Sequence, residues 1–219
     1  MDNLPDLNDS FTYENFFYLS CESSRIEKIL TEYSIFCKSL KAPGAIVECG
    51  VFKGASFSRY AMFRKIHNME GKLLIGFDAF GLFPETSFED DQQLRGKFIE
   101  IAGKEGISIE QLNTVLENKS CSINTHLIKG DICETVPNYV KDNPSFKISF
   151  INLDVDIYEP SRSVLENLYP LLTSGGVLLL DNYIVFPGET KAVDDYFKDK
   201  DVIIQKEGIN KPIYYVVKE

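Results

Sequence analysis

The chain has 219 residues, of which 44% are hydrophobic and 26% are charged, and this balance predicts one soluble α/β domain with a substantial core. The net charge of −10 at pH 7 disfavours nucleic acid and anionic membranes as partners, because both attract clustered lysine and arginine. The polar N-terminus and the lack of a long apolar run predict a cytoplasmic protein without signal peptide or membrane span. Five scattered cysteines and two histidines favour reduced thiols and argue against a zinc site or a multi-histidine metal site.

Residues 1–43 are predicted to form a helical extension that precedes the main domain, residues 44–219. Residues 1–10 have the composition of a polar tail. Apolar residues at helical spacing between Phe11 and Leu40 predict one or two helices that pack on the domain or on another subunit. The apolar stripe that would form a homodimer contact consists of Phe16, Phe17 and Leu19.

From residue 45 onward, predicted strands and helices alternate. Five strand-then-helix units followed by two strands predict an α/β fold with a doubly wound, mostly parallel seven-stranded sheet and an antiparallel terminal strand. This order matches the class I methyltransferase, Rossmann-like architecture. The predicted strands are Ala45–Glu48, Leu73–Phe77, Thr125–Ile128, Ile148–Leu153, Val177–Leu180, Val202–Gln205 and Ile213–Val217. The predicted helices are Ser56–Ile66, Phe88–Ala102, Ile109–Asn118, Ile132–Asp142, Ser161–Tyr169 and Glu189–Phe197.

The segment Ala45–Gly54, AIVECGVFKG, joins the first strand to a helix through a glycine turn. The strand ends in the acid Glu48, and Gly50 and Gly54 follow. Glycine lets a ligand approach the backbone, and a helix start offers unpaired N–H groups, as in nucleoside sites of α/β folds. The spacing is not the G-x-G-x-x-G pattern of dinucleotide enzymes, and an acid suits a ligand with an amine. The motif therefore indicates S-adenosylmethionine; the alternative is a glycine turn of the kind found in any α/β protein.

Polar residues at the ends of the next two strands extend this candidate site, because open α/β sheets bind ligands at the carboxyl ends of their strands. Asp78 ends the second strand and is predicted to bind ribose hydroxyls; the alternative is a turn cap. Gly130 and Asp131 follow the third strand, where Asp131 either meets an adenine edge or caps the next helix.

Acids and an amide follow the fourth and fifth strands. Asp154 and Asp156 come directly after one apolar strand, and Asp181 and Asn182 follow the next. Neighbouring strand ends can bring Asp154, Asp181 and Asn182 together, and an all-oxygen set with two carboxylates suits Mg²⁺. The alternative is that these residues cap helices and strand ends.

Taken together, these segments resemble the macrocin O-methyltransferase (TylF/MycF-type) family of S-adenosylmethionine-dependent enzymes. The resemblance covers Gly44 to Val217. It rests on VECGVFKGAS, FDAFGLFPE, LIKGDICETVP, INLDVDIYEPSRSVLENLYPLLTSGGVLLLDNY and PGETKAVDDYF.

The resemblance implies methyl transfer to a hydroxyl, often on a sugar of a natural product, with a divalent metal at the aspartates. It implies that Asp154 and Asp181 are metal ligands and that Glu48, Gly50 and Asp78 contact the cofactor. Family members commonly read Asp-Asp-Tyr where this chain has Asp181-Asn182-Tyr183, and the Asp-Asn pair is similar to that of catechol O-methyltransferases. The full predicted set of cofactor contacts is Glu48, Gly50, Val51, Gly54, Ser56, Asp78, Gly130, Asp131 and Asp154.

The base of this reaction is not defined by the resemblance. Catechol enzymes carry a lysine base shortly after the first metal aspartate, where this chain has Ile157. The late histidine of the family also has no counterpart, because no histidine follows His126. Two residues are assigned to catalysis, Asp154 and Asp156. Asp156 is the candidate base; the alternative is that Asp156 is a structural acid that pairs with Arg162.

The irregular segment Ala79–Gln93 is predicted to form a lid over the small-molecule acceptor. Phe80, Phe83 and Phe88 would form its apolar wall, or would pack under the loop, which is the expectation for Phe80. Two other functional classes share the predicted sheet. The first is a nicotinamide-dependent oxidoreductase, which the glycine spacing disfavours. The second is a non-catalytic cofactor-binding protein, which would not need the acids at the fourth and fifth strands.

Overall fold

The computed structural model describes residues 4–219. Its strands are β1 (Ala45–Cys49), β2 (Leu74–Asp78), β3 (Thr125–Lys129), β4 (Ile148–Leu153), β5 (Leu172–Leu180), β6 (Gln205–Glu207) and β7 (Ile213–Val217). Its α-helices are α1 (Ser10–Ser20), α2 (Ser23–Lys38), α3 (Ala55–Ile66), α4 (Glu89–Ala102), α5 (Ile109–Asn118), α6 (Ile132–Asp142), α7 (Tyr158–Asn167) and α8 (Pro187–Phe197). Short 3-10 turns cover Leu7–Asp9 and Tyr169–Leu171.

The strands form a seven-stranded sheet in the order β3-β2-β1-β4-β5-β7-β6. Strands β1 to β5 are parallel, and β7 runs antiparallel to both β5 and β6. The predicted α/β, doubly wound sheet with an antiparallel terminal strand is confirmed. The direction of strand progression reverses between β1 and β4, which is where ligands bind in open α/β sheets.

Sheet register aligns the carboxyl ends of four strands. Cys49 pairs with Phe77 on one side and with Leu153 on the other, and Leu153 pairs with Leu180. The residues that follow this row are therefore neighbours at one edge of the sheet: Asp78, Gly50, Asp154 and Asp181.

Apolar residues cover both faces of the sheet. One face packs against α6, α7 and α8, and the other against α2, α3 and α5. Helix α2 belongs to this core, because Ile35 and Phe36 are fully buried. Helix α1 contributes no buried residue.

Four predicted boundaries differ from the structure by three or more residues. The edge strand β6 begins at Gln205 instead of Val202, and Ile203 is 74% exposed. The predicted polar tail is helical from Leu7, where the side chain of Asp6 caps the turn by accepting from Asn8 N; Met1–Asn3 lie outside the described residues. Strand β5 starts before its two glycines, and α7 starts at Tyr158 because proline is tolerated in a first helical turn. Within residues 4–219, no helix has the length and hydropathy needed to cross a membrane.

Candidate active site

A cavity of about 970 Å³ opens at the carboxyl edge of the sheet. It is lined by the loop after β1, the end of β2 with its following loop, the start of α6, and the residues after β4 and β5. Most predicted site residues line it; Glu48 and Gly54 do not.

The glycines of the loop after β1 are required by close packing and by backbone conformation. A Cβ on Gly50 would lie 1.8 Å from the backbone oxygen of Asp154, so only glycine lets β1 and β4 end side by side. Gly54 has φ of +79° and is the N-cap of α3, a left-handed conformation that glycine adopts at low cost. Between them, Phe52 also has a positive φ, of 46°. The loop is therefore shaped by its neighbours before any ligand binds.

Asp78 holds this loop against the end of β2. Its Oδ2 accepts hydrogen bonds from the backbone N–H groups of Val51 (2.8 Å) and Phe52 (2.9 Å), and its Oδ1 accepts from Phe80 N (2.6 Å). These bonds fill three of the roughly four acceptor positions of a carboxylate. The turn-capping role is thus present, and Asp78 also lines the cavity, with acceptor capacity left for about one ribose hydroxyl.

Glu48 lies behind the loop. It is fully buried, its Oε1 accepts from Asn152 Nδ2 at 3.0 Å, and its Oε2 has no hydrogen-bond partner. Burial raises the pKa of Glu48 to about 8, although the neighbouring Ser56 hydroxyl and Asn152 amide act in the opposite direction. Glu48 does not line the cavity, so its predicted contact with the cofactor stays a prediction.

At the third strand, the capping alternative is observed. Asp131 is the N-cap of α6, and its Oδ1 accepts from Cys133 N at 2.8 Å. Asp131 and Gly130 still line the cavity, so a contact with an adenine edge stays a prediction.

Asp154, Asp156 and Asn182 come together at the centre of the cavity. Asn182 Nδ2 donates to Asp154 Oδ1 at 3.0 Å and to Asp156 Oδ1 at 2.6 Å. Burial, followed by the charge of Asp181, raises the pKa of Asp154 well above its usual range and that of Asp156 to about 7. Three carboxylates in one buried cluster create a demand for a cation.

Lys28, which the sequence analysis did not select, supplies a positive charge to this cluster. Its Nζ lies 2.8 Å from Asp181 Oδ1 and 2.7 Å from Oδ2. Burial opposes the charged form of Lys28, but the carboxylates of Asp181, Asp154 and Glu32 outweigh it and raise the lysine pKa. The residues are 153 positions apart in sequence, so only the folded structure shows this pair.

Within residues 4–219, no group of three or more His, Cys, Asp and Glu side chains is placed to hold a metal ion. A divalent cation at Asp154, Asp181 and Asn182 therefore stays a prediction, which rests on the hard oxygen donors that these side chains carry. As a ligand Asn182 would present Oδ1 in place of Nδ2, and side-chain amide oxygens are accepted by Mg²⁺ and Ca²⁺.

The alternative pairing of Asp156 with Arg162 is wrong. Arg162 Nε donates to Glu166 at 2.9 Å on the exposed face of α7. Asp156 instead is 7% exposed, has φ of 65°, and accepts from Asn182. A non-glycine residue in the left-handed region is often found at functional sites.

Glu189 holds the loop after β5 through hydrogen bonds from α8. Its Oε1 accepts from Asn182 N at 2.9 Å, and its backbone N donates to Asp156 O. The side chain is fully buried and Oε2 has no partner, and burial raises its pKa well above the usual range. No sequence pattern distinguishes this acid from the exposed acids of α8.

The predicted lid is the loop 79–88, since residues 89–93 belong to α4. Phe80 is buried under the loop, as expected, and Phe88 stacks on Tyr158 with ring centroids 5.3 Å apart. Phe83 lines the cavity. It belongs to an aromatic wall of which the sequence predicted only Phe83. The wall consists of Phe52, Phe83, Phe98 and Phe186.

Asp91 occupies two helix starts beside this wall. Its Oδ1 accepts from Gly188 N at 2.7 Å and its Oδ2 from Tyr158 N at 3.0 Å, at the N-termini of α8 and α7. Helix N-termini are common anion sites, and here the chain's own carboxylate already fills both. Glu159, in the first turn of α7, accepts from Thr86 and Ser87 of the lid loop.

Comparison with known proteins identifies relatives of this chain. Demethyldecarbamoylnovobiocin O-methyltransferase of Streptomyces niveus is 24% identical over 180 residues, covering 76% of this chain and 65% of the relative. A tetracenomycin 4'-O-methyltransferase (8-demethyl-8-(2,3-dimethoxy-alpha-L-rhamnosyl)-tetracenomycin-C) of Streptomyces olivaceus is 28% identical over 161 residues, covering 70% and 58%. The chain thus spans less than two thirds of the length of each.

Solved structures show the same fold. CalS11, a calicheamicin methyltransferase also named a TDP-rhamnose 3'-O-methyltransferase, superimposes with a TM-score of 0.78 at 25% identity, covering 98% of this chain and 87% of CalS11. The O-methyltransferase NovP gives a TM-score of 0.75 at 20% identity, covering 89% and 81%, and supports the fold alone. The fold is therefore that of class I methyltransferases. Residues 25–216 match the model of the macrocin-O-methyltransferase (TylF) family, and the chain belongs to this family.

Proposed function

We propose that this protein is an S-adenosylmethionine-dependent O-methyltransferase that uses a divalent cation, Mg²⁺, and acts on a hydroxyl of a small molecule, a sugar of a natural product. The family match and the names of the relatives support the reaction type. The observation that carries the proposal is that one cavity joins the glycine loop and Asp78 to Asp154, Asp181 and Asn182.

The cofactor half of the cavity is the row formed by the glycine loop, Asp78 and the start of α6. S-adenosylmethionine supplies a methyl group that is already activated on a sulfonium. The chain has to position it, and carboxylates beside a cationic ligand favour its binding. Because Asp78 fixes the N–H groups of Val51 and Phe52, the loop needs little reorganisation on binding.

The acceptor half contains the acids. Asp154, Asp181 and Asn182 would hold the cation, which supplies positive charge to orient the accepting hydroxyl and lower its pKa. Asp156 is the proposed base, since it is buried beside Asp154 and Asn182. Lid residues and the aromatic wall exclude water from the acceptor.

The charges of the cavity favour an acceptor without phosphate groups. Its lining has seven carboxylates and, among residues 4–219, two basic side chains, Lys28 and Lys53. Lys28 pairs with Asp181, Lys53 donates to the backbone oxygen of Glu105, and the helix N-termini of α7 and α8 are filled by Asp91. We therefore propose a neutral or cationic glycoside with an apolar portion against the aromatic wall, unlike the sugar nucleotide named for CalS11.

A homodimer through α1 also stays a proposal. In the structure Phe16 is 63% exposed, Phe17 37% and Leu19 83%, and an eleven-residue helix with no buried residue is marginal in water unless it packs on something.

The experiment that tests the proposed function is a screen of neutral and charged glycosides with isotope-labelled S-adenosylmethionine, with and without Mg²⁺. Methyl transfer to a glycoside hydroxyl is expected, with loss of transfer in excess EDTA and in Asp181→Ala. Retained binding of S-adenosylhomocysteine in both cases is the control, because cofactor and cation use different parts of the cavity. Full transfer in excess EDTA would contradict the metal requirement and leave proximity and Asp156 as the explanation.

A further inference from the structure

We propose that Lys28 and a divalent cation are alternative partners of Asp181, so that cation binding at the acids displaces the Lys28 side chain. The inference rests on the proposed cation site. It adds a residue from α2, outside the strand ends, to the active site.

The geometry of the pair favours exclusion over sharing. A single ammonium group lies within 2.8 Å of both carboxylate oxygens of Asp181. The Asp181 side chain is 8% exposed and that of Lys28 is 31% exposed, so water screens the contact only in part. A second cation bound to the same carboxylate would lie close to the ammonium group, and two like charges in a partly buried site repel each other.

The surrounding contacts decide which part of the chain would move. Farther along α2, the buried Glu32 binds Arg59 of α3 at 2.6 and 2.8 Å, and Ile35 and Phe36 lie in the core. One residue before Lys28, Glu27 accepts hydrogen bonds from Ile209 and Asn210. These contacts hold α2 without Lys28. Release of Lys28 from Asp181 would therefore move the lysine side chain, while the helix stays in place.

Thermodynamic coupling makes the proposal measurable from either side. If Lys28 must leave Asp181 before a cation binds, the apparent affinity for the cation is the intrinsic affinity multiplied by the fraction of molecules in which the pair is open. Removing the ammonium group should then strengthen cation binding, and the cation should weaken the pairing of Lys28 with Asp181 by the same factor.

The test is Mn²⁺ binding to the full chain, from which any bound metal has first been removed by dialysis. The electron paramagnetic resonance signal of free Mn²⁺ then measures how much of the added metal stays unbound. Lys28→Met keeps the apolar stem without the charge, and we expect it to bind Mn²⁺ about tenfold more tightly than the parent. Lys38→Met is the matched control, because Lys38 lies on the same helix but pairs with Glu207 at 3.2 Å, and its affinity should equal that of the parent. Equal or weaker binding by Lys28→Met overturns the proposal.

A second measurement does not depend on the folding of a variant. In the parent protein, Mg²⁺ should increase the acetylation of Lys28 by acetic anhydride, measured by mass spectrometry, with no change at Lys38. Unchanged or lower acetylation of Lys28 would overturn the proposal. If neither the parent nor Lys28→Met binds Mn²⁺, the inference and the cation site both fail, whereas binding of S-adenosylhomocysteine reports separately on the methyltransferase assignment.

Discussion

The side-chain amide of Asn182 donates a hydrogen bond of 2.6 Å to the carboxylate of Asp156. The bond connects the second residue after β5 to the third residue after β4, and it orients Asp156 beside Asp154. Burial is the main cause that raises the pKa of Asp156 to about 7, and the charge of Asp181 is the second. A carboxylate with such a pKa can accept a proton near neutral pH.

Replacing Asp156 with asparagine should therefore lower the rate of methyl transfer by about 10²- to 10⁴-fold, the usual contribution of a general base. In the parent, transfer should rise with pH as Asp156 loses its proton, and the variant should lose this rise. A bound cation should place the rise below the pKa of about 7 that Asp156 has in the metal-free site. Binding of S-adenosylhomocysteine, measured by calorimetry, should not change. Arg162→Ala serves as the control, since Arg162 pairs with Glu166. A parent-like pH profile in Asp156→Asn would rule Asp156 out as the base.

Glu48 predicts a dependence of stability on pH. Its pKa is raised by burial from an ordinary value of 4.5 to about 8, so the folded protein binds this proton more tightly than the unfolded chain does. The contribution of Glu48 to stability is therefore largest below about pH 4.5 and is lost as pH rises towards 8.

Glu48→Gln cannot titrate, and its free energy of unfolding should fall less steeply over this range, by up to about 1.4 kcal/mol per pH unit. Urea unfolding at several pH values measures the slope. The exposed Glu134→Gln should retain the slope of the parent. An identical slope in Glu48→Gln would show that Glu48 has the same pKa in the folded and unfolded states.

The sequence allowed the fold and the position of the site to be predicted, because both depend on local patterns. Apolar runs that end in polar residues located Asp78, Asp154 and Asp181, and the parallel register brings such ends to one edge. Lys28 could not be found in this way. Helical spacing predicts α2, but it does not specify which strand end the polar side chains of that helix contact.

Two acids show a different limit of sequence analysis. Glu48 follows an apolar run just as Asp78 does, but one side chain enters the core and the other binds backbone N–H groups at the cavity. Asp91 stands in the polar sequence EDDQQ, which is typical of a solvated helix start, yet it is fully buried. Packing between distant segments decides such cases.

The charge of the acceptor can be tested with two rhamnosides. The uncharged p-nitrophenyl rhamnoside should accept methyl groups from labelled S-adenosylmethionine faster than TDP-rhamnose, because, among residues 4–219, the cavity is lined by seven carboxylates against two lysines and this excess of negative charge repels a diphosphate. Mass spectrometry of the products measures both rates under identical conditions. Equal or faster transfer to TDP-rhamnose would contradict the expected acceptor class.

The apolar face of α1 predicts the oligomeric state. Sedimentation of the parent should show a dimer, and replacing both Phe16 and Leu19 with serine should shift it to a monomer, because these exposed side chains would form the contact. Unchanged sedimentation of the double variant would exclude this face as the interface.

Calorimetry with S-adenosylhomocysteine and with NAD most directly tests the claim that the cavity is a methyltransferase site. We expect one equivalent of S-adenosylhomocysteine to bind with or without Mg²⁺, and no binding of NAD. Asp78→Asn should lose about 1.5–3 kcal/mol of this binding free energy, because it removes charge-assisted hydrogen bonds that fix the loop and bind ribose. Its thermal stability without ligand shows how much of the loss comes from the loop alone. Binding of NAD in preference to S-adenosylhomocysteine, or parent-like affinity in Asp78→Asn, would contradict the proposed cofactor site.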